Sequence, residues 1–295
     1  MRNKSKGYAI LSNGTMIFWT LLVILPFLLL FISSITSENE LVANGYSFFP
    51  KKLSLDAYRY ILKSGKTIMQ AYGVSIFVTA VGTICNVFMS AMMAYSLSVK
   101  NLPGRKIMNF FVFFTMLFNG GIVPSYLMWS GFFHIKDTIW AQLIPNLLLS
   151  AWNVMLMRTY FVTNIPESLY EAAEIDGASH FTIFFKLALP LSKPILITMG
   201  TFAGLNYWNN WNNGLYYILK RTDLYNVQNL LNQMASNIQY LAQSDSSDAA
   251  AAMASIPATG VQMAIAFVAI LPVTLIFLFL QKYYTKGIML GSVKG

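Results

Sequence analysis

The chain has 295 residues, of which 56% are hydrophobic and only 11% are charged. Soluble domains carry roughly 25% charged residues, so this composition excludes an ordinary soluble protein and indicates a membrane protein. The net charge of +9 does not indicate nucleic-acid binding, because the basic residues lie between apolar runs and form no stripe with interleaved aromatic residues.

Six apolar runs are long enough to cross a bilayer, which requires about 20 apolar residues per helix. The first run follows a basic start like that of a signal peptide, but it is longer than a signal core and no A-x-A cleavage site follows it. We therefore expect an all-α membrane protein with six transmembrane helices. The predicted spans are Ile17–Ile35, Gly73–Val99, Ile107–Leu127, Thr138–Met157, Ile195–Leu215 and Pro257–Leu280.

The charges between the spans predict the orientation. With the N-terminus inside, the inner segments carry a net charge of +8 and the outer segments +1. Basic residues are enriched in cytoplasmic loops, so both termini are expected in the cytoplasm.

The six runs contain no Asp, Glu, Lys, Arg or His in their interiors. Ion-coupled carriers need such groups within the membrane, where they pair with the moving charge. This pattern argues against an autonomous pump, a secondary transporter or an intramembrane acid–base enzyme. The energy for any transport is therefore expected from outside the chain.

The polar segment between the fourth and fifth spans has local features of two short helices joined by a bend. Pro166 suits the first turn of a helix, and Gly177 suits a C-terminal cap with positive φ. Ser179 can cap the second helix, and Pro190 and Pro194 are expected to stop it and redirect the chain.

The residue pattern of the first helix has two interpretations. The helix either docks one face into a groove of another protein or is an ordinary amphipathic loop helix without a partner. Glu171 and Glu174 would lie at the rim of this face and pair with basic residues of another protein. The face itself is formed at helical spacing by Leu169, Ala172, Ala173 and Asp176.

The same segment resembles the EAA loop of binding-protein-dependent ABC importer permeases, a pattern that is specific to that family. The family usually has Ile where this chain has Leu187. Two further stretches, Tyr207–Ile218 and Lys286–Gly295, are similar to carbohydrate importers and to the tail of the smaller maltose-type permease subunit. The residues that match the EAA pattern are Glu171, Ala172, Ala173, Gly177, Leu187, Leu189 and Pro190.

The resemblance implies a domain organisation and a mechanism. Residues 1–16 and 285–295 would be cytoplasmic tails of a permease domain at 17–284, with the EAA loop at 164–194. The first EAA helix would be a coupling helix seated in an ATPase subunit, where Glu171 makes the charged contact and Gly177 fixes the bend. The C-terminal tail would also reach the ATPase subunits, through Ser292, Val293, Lys294 and Gly295.

The implied partners are a second homologous permease chain, two ATPase subunits, an extracytoplasmic sugar-binding protein and membrane lipid, in a bacterial inner membrane. No nucleic acid is expected. The chain has no G-x-x-x-x-G-K-[ST] phosphate loop, so ATP and Mg²⁺ should be bound by the ATPase subunits and this chain should hold no cofactor. The isolated His134 and His180 are assigned to no metal.

A polar and aromatic cluster at the end of the fifth span is costly to place against lipid. It predicts either a cargo path for sugars or an anchor at the membrane interface, where Trp and Tyr are enriched. Asn119 and Asn153 in the third and fourth spans are further candidates for the path, with hydrogen bonding between helices as the alternative. The cluster contains Asn206, Tyr207, Trp208, Asn209, Asn210 and Trp211, followed by Asn212 and Asn213.

The predicted function is therefore ATP-driven uptake of a carbohydrate, with an oligosaccharide favoured. The alternatives are a permease for another solute, such as an amino acid or a polyamine, and a multispan membrane enzyme.

On the outer side, Asp223–Ala242 has apolar residues at helical spacing. This segment would contact the binding protein or cap the cavity.

Overall fold

A computed structural model describes residues 6–63, 65–243 and 258–291, and these residues are predominantly helical. The predicted all-α class is confirmed for this part of the chain, where pairing of the strand type is limited to an isolated bridge between Thr36 and Leu53. The predicted tail contact at Ser292, Val293, Lys294 and Gly295 lies outside the described residues.

The helices include short and irregular elements as well as long ones. Two π-helical turns cover Leu127–Phe132 and Phe184–Ala188, and a 3₁₀ turn covers Thr222–Leu224. The α-helices are α1 (Lys6–Ser34), α2 (Glu38–Asn44), α3 (Asp56–Lys63), α4 (Gly65–Ser98), α5 (Arg105–Leu117), α6 (Ile122–Tyr126), α7 (Trp140–Leu143), α8 (Ala151–Asn164), α9 (Glu167–Ile175), α10 (His180–Ile183), α11 (Leu189–Leu191), α12 (Lys193–Asn209), α13 (Asn212–Tyr217), α14 (Val227–Gln243) and α15 (Ala258–Gly291).

Three described helices, α1, α4 and α15, are long and apolar enough to cross a membrane. They correspond to the first, second and sixth predicted spans. Two bent pairs add candidates: Arg105–Leu117 with Ile122–Phe132, at 115°, and His180–Leu191 with Lys193–Asn209, at 82°. The described residues thus contain three such spans, or up to five if each bent pair is one span, and the predicted six are not reached.

The third predicted span, Ile107–Leu127, is not one continuous helix, because the helix breaks after Leu117. Gly121 has a φ of +92°, which glycine adopts far more easily than other residues. The Asn119 Oδ1 accepts the Gly121 N–H at 2.8 Å and holds this turn.

The fourth predicted span, Thr138–Met157, is not one continuous helix either. The chain leaves the helical conformation between α7 and α8, where Asn146 follows a proline and has a φ of +59°. The fifth predicted span, Ile195–Leu215, likewise divides into α12 and α13 around Asn210 and Trp211.

Side chains from other helices satisfy the carbonyl groups that the break between α7 and α8 leaves free. The Tyr207 hydroxyl donates to the Leu143 carbonyl at 2.9 Å. Asn213 Nδ2 donates to the Pro145 carbonyl at 3.1 Å, and a third side chain, the amide of Asn86 on α4, donates to the Leu147 carbonyl at 2.6 Å. Such pairing is what permits irregular backbone at membrane depth.

Contacts between Cα atoms divide the chain into two compact units. Of the described residues, one unit contains those up to Ile68 and those within Leu230–Thr274, and the other contains Met69–Asn229 and those from Leu275 onward. The helix predicted within Asp223–Ala242 is confirmed, although the regular α-helix begins only at Val227.

In the first unit, the Glu38 carboxylate caps the start of α15. Its Oε1 accepts the Thr259 N–H at 2.9 Å, and its Oε2 accepts the Gly260 N–H at 2.8 Å. The first N–H groups of a helix have no partner within the helix and carry partial positive charge. A carboxylate from the segment after α1 therefore fixes the beginning of the last long helix.

In the second unit, α12 packs closely on α4 through small residues. A Cβ at Gly204 would lie 3.3 Å from Thr83 Oγ1, and a Cβ at Gly200 would lie 3.6 Å from Val87 Cγ2. The spacing Gly200-x-x-x-Gly204 places both small residues on the face of α12 that contacts α4 and permits this close approach. Further along the same interface, Gly82 meets the ring of Tyr207.

Candidate functional site

The EAA loop has the two short helices and the bend that its sequence predicts. Pro166 precedes the first turn of α9, and Gly177 has a φ of +75° where the chain leaves that helix. The Ala178 N–H donates to the Ala173 carbonyl at 3.0 Å and closes the helix end. Ser179 Oγ then accepts the Thr182 N–H at 3.3 Å and caps α10.

The predicted role of the prolines needs correction, because Pro190 does not stop the second helix. The helical path continues through Leu191 and turns only at Ser192, while Pro194 lies in the first turn of α12. The π-helical turn before Pro190 explains this tolerance. A wider turn moves the preceding carbonyl groups and accommodates a ring that has no N–H to donate.

The exposed face of α9 also differs from the predicted docking face. Ala173 packs against the core of its own unit together with Tyr170, whose ring lies 6.3 Å from that of Tyr95. The predicted face that joined Ala173 to Ala172 and Leu169 is therefore wrong for Ala173. The helix turns Ala172, Leu169 and Ile175 outward.

Ile175 is 86% exposed, although it is a large apolar residue, and sequence reasoning did not select it. Phe181, at the start of the second short helix, is 69% exposed. Exposed apolar residues that cluster on one loop mark contact surfaces. The position of Ile175 on the face of Ala172 could have been predicted from the sequence, since the two residues are three positions apart in one helix.

A groove of 610 Å³ runs beside α9 and carries charges of both signs. Lys100, in the loop after α4, forms an ion pair with Glu167 and attaches this loop to the start of α9. Glu171 and Glu174 line the same groove on the exposed side of α9. Burial raises the pKa of the Tyr170 phenol, which also lines the groove, to about 12, so this group stays neutral.

The remaining EAA residues have separate positions. Leu187 is partly buried against the same core as Ala173, whereas Pro190 is exposed. The EAA loop therefore has an inner side that packs on its own protein and an outer side that carries Glu171, Ala172 and Ile175.

The polar and aromatic cluster divides into buried and exposed members. Tyr207 and Trp208 are almost fully buried, and the Trp208 ring lies 6.5 Å from that of Tyr72. Asn206, Asn209 and Trp211 are exposed, and Asn210 is partly buried.

A network of amides surrounds the end of this cluster. Gln142 Nε2 donates to Asn229 Oδ1 at 2.9 Å, and Asn229 Nδ2 donates to the Trp211 carbonyl at 2.5 Å. Asn226 Nδ2 donates to the Asn210 carbonyl at 2.7 Å. The amides at 142, 226 and 229 therefore hold the break between α12 and α13 in place. Sequence reasoning missed them because their partners lie far away in the chain.

Asn153 and Asn119, the other predicted path residues, lie apart from this cluster and also make internal contacts. Asn153 is buried and its Nδ2 donates to Asn86 Oδ1 at 2.9 Å, which is the hydrogen bond between helices that was its alternative role. Asn119 is exposed and shapes the turn at Gly121.

A second polar contact joins the loop before α7 to the segment after α13. Asp137 Oδ1 accepts the N–H groups of Leu219, Lys220 and Arg221 at 2.7, 2.8 and 3.2 Å. These bonds, that from Lys220 foremost, hold the pKa of Asp137 below its ordinary value of 3.8.

Replacing Asp137 with asparagine should accelerate hydrogen exchange at the amides of 219–221 by about fivefold, because a neutral acceptor bonds more weakly than a carboxylate. In the wild type, protection should be present above the ordinary pKa and should be lost as the pH falls through the lowered folded pKa. Asp56→Asn, an exposed carboxylate with local bonds only, is the matched control. Equal protection in wild type and Asp137→Asn at neutral pH would contradict the assignment.

The chain matches the model of the family described as "Binding-protein-dependent transport system inner membrane component" over residues 86–289. This match covers more than half of the sequence, so the protein belongs to that family of transport permeases. Together with the apolar helices, it places the chain in a bacterial inner membrane as a multi-pass protein.

Individual relatives carry names of carbohydrate transporters. The chain is 37% identical to the polygalacturonan/rhamnogalacturonan transport system permease protein YtcP of Bacillus subtilis, over 99% of this chain and 100% of YtcP. It is 28% identical to the arabinooligosaccharides transport system permease protein AraQ of the same organism, over 94% and 92%. A chain from the crystal structure of a bacterial ABC transporter that imports the acidic polysaccharide alginate is similar with a TM-score of 0.78 and 26% identity, over 96% of this chain and 99% of that one.

Proposed function

We propose that this chain is a transmembrane permease subunit of an ATP-driven importer for carbohydrate, with an oligosaccharide as cargo. The observation that carries the proposal is the EAA loop, whose outer side presents Glu171, Ala172 and the exposed Ile175. The names of its relatives, which include transporters of polygalacturonan/rhamnogalacturonan, arabinooligosaccharides and alginate, support the class of cargo.

The outer side of α9 would dock into a cleft of a cytoplasmic ATPase subunit. Ile175 and Ala172 would fill the apolar floor of this cleft, and Glu171 would pair with a basic residue at its rim. ATP and Mg²⁺ would be bound by two such subunits, and their closure would move the EAA loop. Because Ala173, Tyr170 and Leu187 pack on the core of the second unit, a push on α9 would pass directly to α4 and α8.

The complete importer would also contain a second homologous permease chain and an extracytoplasmic sugar-binding protein. In the membrane, the EAA loop and both termini would face the cytoplasm, as the charge distribution predicts. The broken segment that contains α7 and α8 would supply the sixth crossing, since side chains of the protein satisfy its free carbonyl groups.

The cargo path would use the exposed part of the polar cluster. Asn206 and Asn209 would offer amides to sugar hydroxyls, and Trp211 would offer its ring to the apolar face of a sugar. Asn119 is exposed at the break between α5 and α6 and would also contribute to the path. Tyr207, Trp208 and Asn153 are buried and would act by holding the helices in register.

The test is expression of the chain with its partner subunits, followed by purification in mild detergent and reconstitution into vesicles. We expect uptake of an oligosaccharide that requires ATP, both permease chains and the binding protein. A panel of neutral and uronic-acid oligosaccharides, amino acids and polyamines tests the class of cargo. Uptake of amino acids or polyamines alone, or transport by the isolated chain, would contradict the proposal.

A further inference from the structure

A second cavity, of 810 Å³, lies between α5 and α8 and carries basic side chains. Four basic residues line it together with the apolar Leu102, Ile107 and Met155, and no carboxylate is among the described residues that line it. We call it the basic cavity. Its basic residues are Lys100, Arg105, Lys106 and Arg158.

Three of the four positive charges lack a carboxylate partner within the described part of the chain. Lys100 is paired with Glu167, whereas Arg105, Lys106 and Arg158 form no ion pair there. The two arginines are partly buried and donate to backbone carbonyls: Arg158 Nε to Leu97 at 3.1 Å, and Arg105 Nη1 to Val99 at 3.5 Å.

The arrangement of these charges favours a bound anion. Arg105 and Arg158 line the same cavity, so their like charges repel each other. The start of α5 adds to the positive potential, since its first turn contains no acidic residue and no side chain caps it. An anionic group between the arginines and Lys106 would relieve this repulsion and accept charge-assisted hydrogen bonds.

The surroundings of the basic cavity distinguish a lipid from a free ion. Ile107 lines the cavity, and the next turn of α5 presents Phe110 and Phe111, each 60% exposed. Basic residues beside an exposed apolar helix surface match a molecule with a phosphate at one end and acyl chains at the other. A free phosphate would leave the apolar part of this surface unused.

We propose that the basic cavity binds the phosphodiester headgroup of an anionic phospholipid, whose acyl chains lie along α5. Basic pockets between membrane helices recognise anionic headgroups by this combination of charge and depth. The site is separate from the cargo path and does not depend on which solute is carried.

The proposal is tested by titrating phosphatidylglycerol into the purified transporter in a phosphatidylcholine background and counting retained anionic lipids by native mass spectrometry. Lys106→Gln should weaken retention about fivefold, and Arg105→Gln with Lys106→Gln about 25-fold. Lys106→Arg should bind like the wild type. The exposed Lys66→Gln, in the other compact unit, is the charge-matched control and should have no effect.

Several results would overturn the proposal. Unchanged retention in Lys106→Gln would do so even if the double variant fails to fold, because Lys106 is exposed and forms no ion pair with another described residue. An equal loss in Lys66→Gln would indicate general surface electrostatics. Complete displacement by excess inorganic phosphate would indicate a site for free anions. Binding to the isolated chain but not to the assembled transporter would indicate a protein interface. Each readout is independent of uptake, so failure here is distinguishable from failure of the proposed transport function.

Discussion

Replacing Glu171 with lysine should reduce ATP-driven uptake by more than about 30-fold while the protein remains inserted and folded. Loss of one partner from a desolvated charge pair costs about 2–5 kcal/mol, which corresponds to at least this factor. The fold should tolerate the change, because Glu171 is exposed and forms no ion pair with any other described residue. Uptake into vesicles and ATP hydrolysis by the same preparation are the measurements.

The pattern of the two activities separates uncoupling from simple inactivation. ATP hydrolysis should persist without uptake, or lose its response to cargo, because the ATPase subunits retain their own catalytic groups. Glu171→Asp, which keeps the charge at the same position, is the matched control and should retain most of the uptake. Wild-type uptake by Glu171→Lys, in a normally assembled complex, would exclude a coupling role for this carboxylate.

Replacing Gly82 with alanine should lower the stability of the protein by about 1–3 kcal/mol, the usual cost of overpacking a filled interior. A Cβ at Gly82 would lie 2.4 Å from Cζ of Tyr207. The ring has little freedom to move away, because it is buried and its hydroxyl is bonded to the Leu143 carbonyl. The change should be visible as a lower apparent Tm in detergent.

Two further variants make this prediction specific. Gly73→Ala, in the same helix, introduces a methyl group with no atom within 4 Å and should be neutral or slightly stabilising. Combining Gly82→Ala with Tyr207→Leu should cost less than the sum of the two single changes, because the smaller side chain removes the clash. Additive effects would show that the ring of Tyr207 is not what limits this position.

The EAA loop could be predicted in detail because its structural causes are local. Pro166, Gly177 and Ser179 each act on a backbone group within three residues, so their identity alone indicates where a helix starts or ends. The orientation of α9 was less accessible. Helical spacing defines faces, but the choice between Ala173 and Ile175 as the exposed residue depends on core residues elsewhere in the chain.

The broken helices do not follow from composition, because the runs at 107–127 and 138–157 contain no charged residue and are long enough to span a membrane. The turn-forming residues within them, Asn119-Gly120-Gly121 and Pro145-Asn146, are the local signal of the breaks. In the run at 138–157, distant groups satisfy the carbonyls that the break releases. Tyr207 is 64 positions from Leu143, and Asn213 is 68 positions from Pro145. This separation in sequence also explains why Tyr207 was assigned to a cargo path. The sequence does not reveal that the Leu143 carbonyl accepts the hydrogen bond of its hydroxyl.

The Glu38 contact has a consequence for the order of synthesis. Its partners, Thr259 and Gly260, are translated 221 and 222 residues later, so this carboxylate lacks these two N–H donors during most of translation. The compact unit to which it belongs cannot close before the last long helix has been made. A chain that ends early keeps a partly buried carboxylate without these two N–H donors, and this feature would distinguish an unfinished product from a complete one.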